Sequence, residues 1–433
     1  WIDGAIRTAH GDRPDVPTLS DRLDRVLTAP WLGMAAFLAV MWAVFQVTTA
    51  VAAPLQGALD SLVSGPISEG TRWLFGQVGL GGSWVESLIV DGLIAGVGML
   101  LTFVPLMAIM FVLLAILEDS GYLARAAVVT DRLMRRLGLP GQAFLPLVVG
   151  FGCNVPAIAA TRILSHPRQR LLVALLVPFT SCSARLTVYL LLAATFFPAN
   201  AGTVVFVMYV VSLVLVVGVG LLLRKTLWRT MPSEPLVIAL PPYQRPTWWV
   251  TASITWRRLR GFLQTAGGII ITTVVVVWVL QAIPTTSGHS FANVAPGDSL
   301  YGWLAGLVAP VFDPAGFGSW ELVSGLFVGF VAKEALISSW AQTFAVSTPA
   351  AATAPGSLGQ HLIESFNAAS GGHAMAAVAA FMVFLLAYTP CVATLAAQKR
   401  EIGMRWTLIG LVMQLGIAWL LAVVVFQVGR LIG

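Results

Sequence analysis

Long apolar stretches alternate with short polar or turn-forming ones along this chain. Seven of them, 31–53, 92–117, 170–196, 203–223, 262–283, 374–397 and 406–428, reach the about 20 residues that a helix needs to cross a hydrocarbon core of roughly 30 Å. The short alternating segments of a membrane barrel are missing. Two further apolar segments are interrupted at their centres, 143–161 by Gly150, Gly152 and Pro156, and 320–345 by Gly325, Gly329 and Lys333. Arg135 and Arg136 flank the first on one side, and Arg162, Arg168 and Arg170 on the other, so a full crossing would place one basic cluster outside. A hairpin that enters and leaves on the cytoplasmic side removes the conflict. The second segment has no basic flanks and is expected to enter from outside.

Taken in order, these elements form two halves of opposite orientation. The span at 92–117, an inner hairpin and the spans at 170–196 and 203–223 answer to the span at 262–283, an outer hairpin and the spans at 374–397 and 406–428. The fold expected is an all-α polytopic membrane protein with about seven transmembrane helices and two re-entrant hairpins arranged as an inverted repeat. Its parts are a cytoplasmic juxtamembrane segment (1–30), a first span with a turn-rich external segment at 54–90 (31–91), the first repeat (92–223), a cytoplasmic linker (224–261) and the second repeat (262–433). The second repeat carries a longer insertion, 346–373, and an external C-terminus is expected.

Composition excludes a soluble globule, because 58% of residues are hydrophobic and only 10% charged, with a mean hydropathy of +0.86. The partner implied is a lipid bilayer. The net charge of +6 does not point to nucleic acid: Arg7, Arg13, Arg22, Arg25, Arg224, Lys225, Arg229, Arg245, Arg257, Arg258 and Arg260 cluster beside apolar spans, as the positive-inside rule expects. From 122 to 138, Leu123, Ala126, Ala127, Thr130, Met134 and Leu137 share one helical face opposite Arg125, Arg132 and Arg136. Such a helix lies on the inner membrane surface or packs on protein. The chain begins at Trp1 without an initiator Met or signal peptide, so a fragment lacking an N-terminal partner domain is expected.

Candidate chemistry gathers at the interrupted segments, where two motifs echo each other. Gly150-Phe151-Gly152-Cys153-Asn154 followed by Phe179-Thr180-Ser181-Cys182 finds a counterpart in Gly329-Phe330-Val331-Ala332-Lys333 followed by Tyr388-Thr389-Pro390-Cys391. All three cysteines lie in this pattern, and an odd number argues against a disulfide scaffold. Each thiol would precede a restarting half-helix, whose positive end favours the metal-binding thiolate. The bland alternative is a small buried hydrophobe. Lys333 and Glu334 are costly in the bilayer and point to a cavity or to a mutual ion pair that holds the hairpin. Arg185 could snorkel to the cytoplasmic end. Glu118 and Asp119 read as capping acids at a helix start or as cation collectors at the inner mouth. His10, His166, His289, His361 and His373 lack ligand spacing, and none of Lys225, Lys333 and Lys399 stands in a phosphate-binding loop, so no nucleotide site is expected.

Several longer runs together resemble a known family: Leu117 to Ala127 (LEDSGYLARAA), Gly138 to Gly141 (GLPG), Gly150 to Pro156 (GFGCNVP), Ser181 to Leu186 (SCSARL), Val331 to Glu334 (VAKE) and Tyr388 to Leu395 (YTPCVATL). In nearly its whole length the chain resembles the membrane domain of the bacterial ferrous iron transporter B family, FeoB, with its two Gate motifs. The resemblance implies passage of Fe²⁺ as transported substrate across the cytoplasmic membrane, with Cys153, Cys182 and Cys391 on the motif cysteines. Asn154 and Glu334 would offer oxygen, with Lys333, Ser181, Thr389, Glu118 and Asp119 supporting. It also implies a non-enzymatic chain whose parent protein carries a GTP-controlling G domain, a small cytosolic accessory protein and a homo-oligomeric state. Thr187 departs from the family pattern, which has Pro after S-C-S-A-R-L. A nucleoside-like solute carrier is the alternative, since paired broken-helix hairpins occur there too.

Overall fold

The computed structural model describes residues 24, 27–136, 139, 141–226, 243–286, 290–346, 349 and 352–432. Most of the 1–30 segment, with Arg7, His10, Arg13, Arg22 and Arg25, lies outside the described residues, as do 227–242 of the linker with Arg229, the positions Leu137, Gly138 and His289, and parts of the 346–373 insertion. The side chains of Arg132, Arg135 and Arg136 are also outside them.

The protein is an all-α polytopic membrane protein; the described residues form helices joined by turns, with isolated bridges only at Pro284–Ser299 and Ser290–Asn293. Helix α1 (Pro30–Leu62) passes through a π turn at Val63–Ile67 into α2 (Ser68–Gln77). This corrects the turn-rich segment expected at 54–90. Pro54 sits inside α1, and Pro66 sits in the wide turn, which absorbs its lost backbone bond. The turn is confined to 78–83, where Gly79 and Gly82 have φ of 76° and 75°. Next come α3 (Trp84–Ser87), a π segment, α4 (Ala95–Asp119) and α5 (Tyr122–Arg136).

The first broken segment forms α6 (Phe144–Gly152) and α7 (Asn154–Ala160), which pack on each other. The break falls at Cys153, between the glycines and the proline that were expected to cause it. Helices α8 (Pro167–Leu176), α9 (Ser183–Phe196) and α10 (Ala201–Thr226) follow. The expected span 170–196 is thus interrupted at 180–182, just before Cys182. Thr187 lies inside α9, so its difference from proline leaves the break in place. Helix α11 (Trp248–Phe262) runs through a π turn into α12 (Gly268–Ala282), and α13 (Leu300–Val308) leads to the second hairpin, α14 (Trp320–Val331) and α15 (Ala335–Thr343). There a Cβ on Gly325 would meet the Trp340 indole at 2.6 Å, and one on Gly329 would meet Leu336 at 3.1 Å. Residues equally distant from the break therefore face each other, so the chain doubles back. Helices α16 (Gly356–Ser370), α17 (Ala374–Ala387) and α18 (Val392–Ile432) complete the chain, with α18 bent at Gly403.

Among the described residues, five helical stretches are long and apolar enough to span a membrane: Leu32–Gln77, Trp84–Asp119, Pro167–Phe196, Pro198–Thr226 and Ala374–Ile432. Two of the seven expected spans share the last of these, and the span expected at 262–283 is the shorter α12. Helices α8, α9 and α17 are sealed inside one apolar core, whereas α10 turns Phe206, Leu213 and Val214 outward. The two halves interlock where Gln398 Nε2 donates to Ala174 O at 2.8 Å and Gly410 lies against Leu175.

Helix α5 packs on protein through buried Leu123, Ala126, Thr130 and Met134. Arg125, expected on its open face, is instead 1% exposed, paired with Asp24 at 2.7 Å and stacked on Tyr243. Removing the acid leaves a buried guanidinium without a counter-charge, while removing both charges does not. Asp24→Asn is therefore expected to destabilise by about 3 kcal/mol and the Asp24→Asn/Arg125→Met pair by much less. Thermal unfolding in detergent measures the difference.

Candidate functional site

All four helix breaks open on one central cavity of about 70 Å³, lined by Cys153, Asn154, Cys182, Arg185, Lys333, Glu334 and Cys391 among others. The residue at each hairpin break is extended, Cys153 with φ −152° and ψ 130°, Ala332 with φ −147° and ψ 131°. Alanine thus holds in the second half the backbone position that Cys153 holds in the first. Cys182 and Cys391 correspond in the same way, each directly before a restarting helix.

The repeat extends to side chains. In the first half, Asn154 follows the break and meets the Thr180 hydroxyl at 3.1 Å, which is shared with Val177 O at 2.7 Å. In the second, Lys333 follows the break and its Nζ donates to the carbonyl of Thr389 at 2.6 Å. Each hairpin tip is therefore tied to the threonine two residues before the cysteine of its own half. Lys333 Nζ also stands 3.3 Å from the centre of the Tyr388 ring, whose hydroxyl donates to Leu326 O at 2.9 Å. The mutual ion pair considered for Lys333 and Glu334 is absent among the described residues: the ammonium is satisfied by a carbonyl and a ring, and Glu334 lines the cavity.

Arg185 is fully buried rather than snorkelling, because its Nη1 caps the carbonyls of Pro178 and Thr180 at 3.0 and 2.7 Å. It closes the C-terminal end of the first half-helix just where the chain restarts. Ser181 is buried behind the cavity, with its N–H donating to Ser212 Oγ at 3.0 Å. Glu118 and Asp119 stand at the end of α4, not at a helix start, and bond to Arg258 and Thr251 on α11. The structure does not bring them to the cysteines.

Electrostatically, the cavity wall is where α7, α9, α15 and α18 begin, and the cysteine side chains at the first two are not consumed in capping. Helix starts favour negative charge, as do the Lys333 and Arg185 side chains in the same wall, so the cavity suits anionic groups. Among the described residues, no three His, Cys, Asp or Glu side chains stand close enough to hold a metal ion together. The donors are arrayed along the wall rather than closed into a cage.

Three further cavities adjoin the central one. An apolar one of about 820 Å³ shares Leu106, Met107, Gly152, Cys153 and Ser183 with it. One of about 470 Å³, with Asp91, Gln281, Ser338, Ser339 and Gln342, shares Val331 with it. Another of about 250 Å³, with Arg162, Arg257, Arg258, Arg400 and Glu401, shares Val155, Phe262 and Ala393. Glu401 is held by both Arg162 and Arg170, an ion-pair cluster between the two halves that spacing along the chain gave no sign of. The Arg185 cap was hidden for the same reason. The Thr180 and Thr389 ties were open to notice, since both threonines sit at matching places in the echoed motif.

The Gate family model, described as nucleoside recognition, matches residues 100–196 and 263–405, and the model for the ferrous iron transport protein B C terminus matches 205–258. The chain is similar to a Fe(2+) transporter FeoB of Staphylococcus aureus, 35% identical over 96% of this chain and 60% of the relative. It is also similar to a Fe(2+) transporter FeoB of Methanocaldococcus jannaschii, 36% identical over 100% of this chain and 62% of the relative. A third relative, the Fe(2+) transport protein A/Fe(2+) transporter FeoB fusion protein of Porphyromonas gingivalis, is 33% identical over 100% of this chain and 54% of its own length. The chain thus spans about 60% of the length of the first two curated relatives. No solved structure matches it. With the matched Gate segments covering more than half of its length and its echoed motifs meeting at one cavity, the chain belongs to the FeoB family and carries that family's membrane domain.

Proposed function

We propose that this domain conducts Fe²⁺ across the cytoplasmic membrane through the central cavity, handing the ion between Cys153, Cys182, Cys391 and Glu334, with Asn154 as an oxygen donor. The observation that carries the reading is the meeting of all three cysteines and one carboxylate at paired helix breaks in an otherwise apolar interior. Two of the flanking cavities would serve as outer and inner vestibules, the outer one lined by Gln281, Ser338, Ser339, Gln342 and Asp91, whose carboxylate also pairs with Arg72 at 3.3 Å. Thiolates alone favour Zn²⁺ and Cu over Fe²⁺. An open array of donors, rather than a closed cage, supports weak and transient ligation, in which availability and rate select the metal. Because thiols must lose their protons to bind, uptake falls as external pH falls.

The relatives' names support Fe²⁺ as substrate, and the fusion relative supports a small accessory protein as partner. GTP control by a G domain belongs to this proposal for the full-length protein. The family description keeps nucleosides as a second reading. The cysteine cavity itself, about 70 Å³, is smaller than the roughly 300–1,000 Å³ of pockets for drug-sized ligands and favours an ion, whereas the adjoining apolar space of about 820 Å³ has room for a larger solute, so transport separates the two readings. In proteoliposomes, uptake of radioactive Fe²⁺ with no uptake of radiolabelled nucleosides is the expected result. Nucleoside flux without iron flux would reverse the assignment.

A further inference from the structure

The inner cavity has the wrong charge for a bare cation route, since four guanidinium groups and one carboxylate line it. Two of the four are committed: Arg162 to Glu401, and Arg258 to Glu118 at 2.7 Å. Arg257 and Arg400 make no ion pair among the described residues. Arg400 nevertheless reaches across from α18 to α11, where a Cβ on Gly261 would stand 3.2 Å from its Nη1. Arg257 and Arg400, both exposed, thus line one space of about 250 Å³ from different helices, and the carboxylate there, Glu401, is committed to Arg162 and Arg170.

The depth of this space is marked by tryptophan. Trp248, Trp249 and Trp256 on α11 are 68%, 83% and 61% exposed, and Trp256 directly precedes Arg257. Exposed tryptophans on a membrane protein settle at the headgroup level, and basic pockets between helices at that level take lipid phosphates. Arginine suits this ligand because its planar fork meets two phosphate oxygens at once.

We infer that the cavity between α7, α11 and α18 is a binding site for a phosphate-type oxyanion, held by Arg257 and Arg400. The headgroup of an anionic phospholipid and free inorganic phosphate share this chemistry. The bound anion neutralises the arginine-lined mouth, and the assignment does not depend on which solute crosses the protein.

Native mass spectrometry of the protein released from phosphatidylglycerol-containing nanodiscs tests it. Wild type is expected to retain the anionic lipid, and Arg257→Gln/Arg400→Gln to retain about tenfold less or lower still. Arg257→Lys/Arg400→Lys, which keeps the charge and loses the fork, should fall between them. Unchanged elution and thermal unfolding in the lysine variant guard against a folding artefact. Repeating the measurement from phosphatidylcholine nanodiscs with inorganic phosphate separates the sources: phosphate-dependent binding lost in the glutamine variant assigns the site to the free ion. Equal anionic-lipid retention by wild type and both variants, with no phosphate binding, overturns the site.

Discussion

Replacing Cys153, Cys182 and Cys391 together by serine is expected to lower Fe²⁺ uptake by the full-length protein on the order of 100-fold, since even removal of a partner behind a metal ligand costs 10–100-fold. Thermal stability should change little. The two helix-capping cysteines make no side-chain cap bond, and serine is itself a good residue at a helix start. The separation of the two readouts makes the test informative: a stable protein with lost uptake points to ligation, and a stable protein with unchanged uptake removes the cysteines from the route. The symmetry of the site adds a finer expectation. Cys182 and Cys391 occupy equivalent positions, so their single substitutions should resemble each other. Cys153 has no sulfur counterpart, because Ala332 stands at its equivalent, and Ala332→Cys offers the path a fourth thiol.

The second large effect is steric. A Cβ on Gly150 would stand 2.2 Å from Thr180 Oγ1 and 3.1 Å from Thr180 Cβ, with the receiving threonine fully buried. Gly150→Ala must push α6 away from the 180–182 break and disturb the Asn154 contact. The expected cost is about 2–4 kcal/mol, overpacking plus one disturbed buried hydrogen bond. Adding Thr180→Ala removes the nearer clash and should recover part of the loss. Gly218→Ala is the control, because nothing lies within 4 Å of its Cβ position on α10. A fluorescence-detected unfolding series in one detergent compares them, and equal unfolding temperatures for Gly150→Ala and Gly218→Ala would refute the close approach.

Much of the fold is legible in the order of residues because bilayer thickness imposes a length on every crossing helix. Gly150-Phe151-Gly152-Cys153 and Phe330-Val331-Ala332-Lys333 also announce their breaks, since glycine weakens a helix and a charged residue in lipid demands a polar recess. The segment at 54–90 misled because proline ends helices in water more readily than in an apolar setting, where unsatisfied backbone groups cost more than a wide turn. Arg125 and Arg185 misled in a different way. Helical spacing assigns each a face, but burial followed from partners far along the chain or across a break, Asp24 for one and the Pro178 and Thr180 carbonyls for the other. The Arg162–Glu401–Arg170 cluster joins positions more than 200 residues apart, beyond the reach of any local pattern.

Gly403 has φ of 80° and no atom near its Cβ position, so the bend in α18 is set by backbone freedom alone. On its C-terminal side the helix is a fixed strut, with Gln427 and Trp419 bonded to the backbone at Pro314 and Val311. On the other side, Val392 to Ile402 is an unbroken rod of about 15 Å. It bears Cys391 at one tip and the arginine-clamped Glu401 at the other, beside the pivot. Gln398, bonded to Ala174 O, and the clamped Glu401 both fasten this rod to the first half, so the bend lets Cys391 take its place from that half while the strut beyond Gly403 stays with the second.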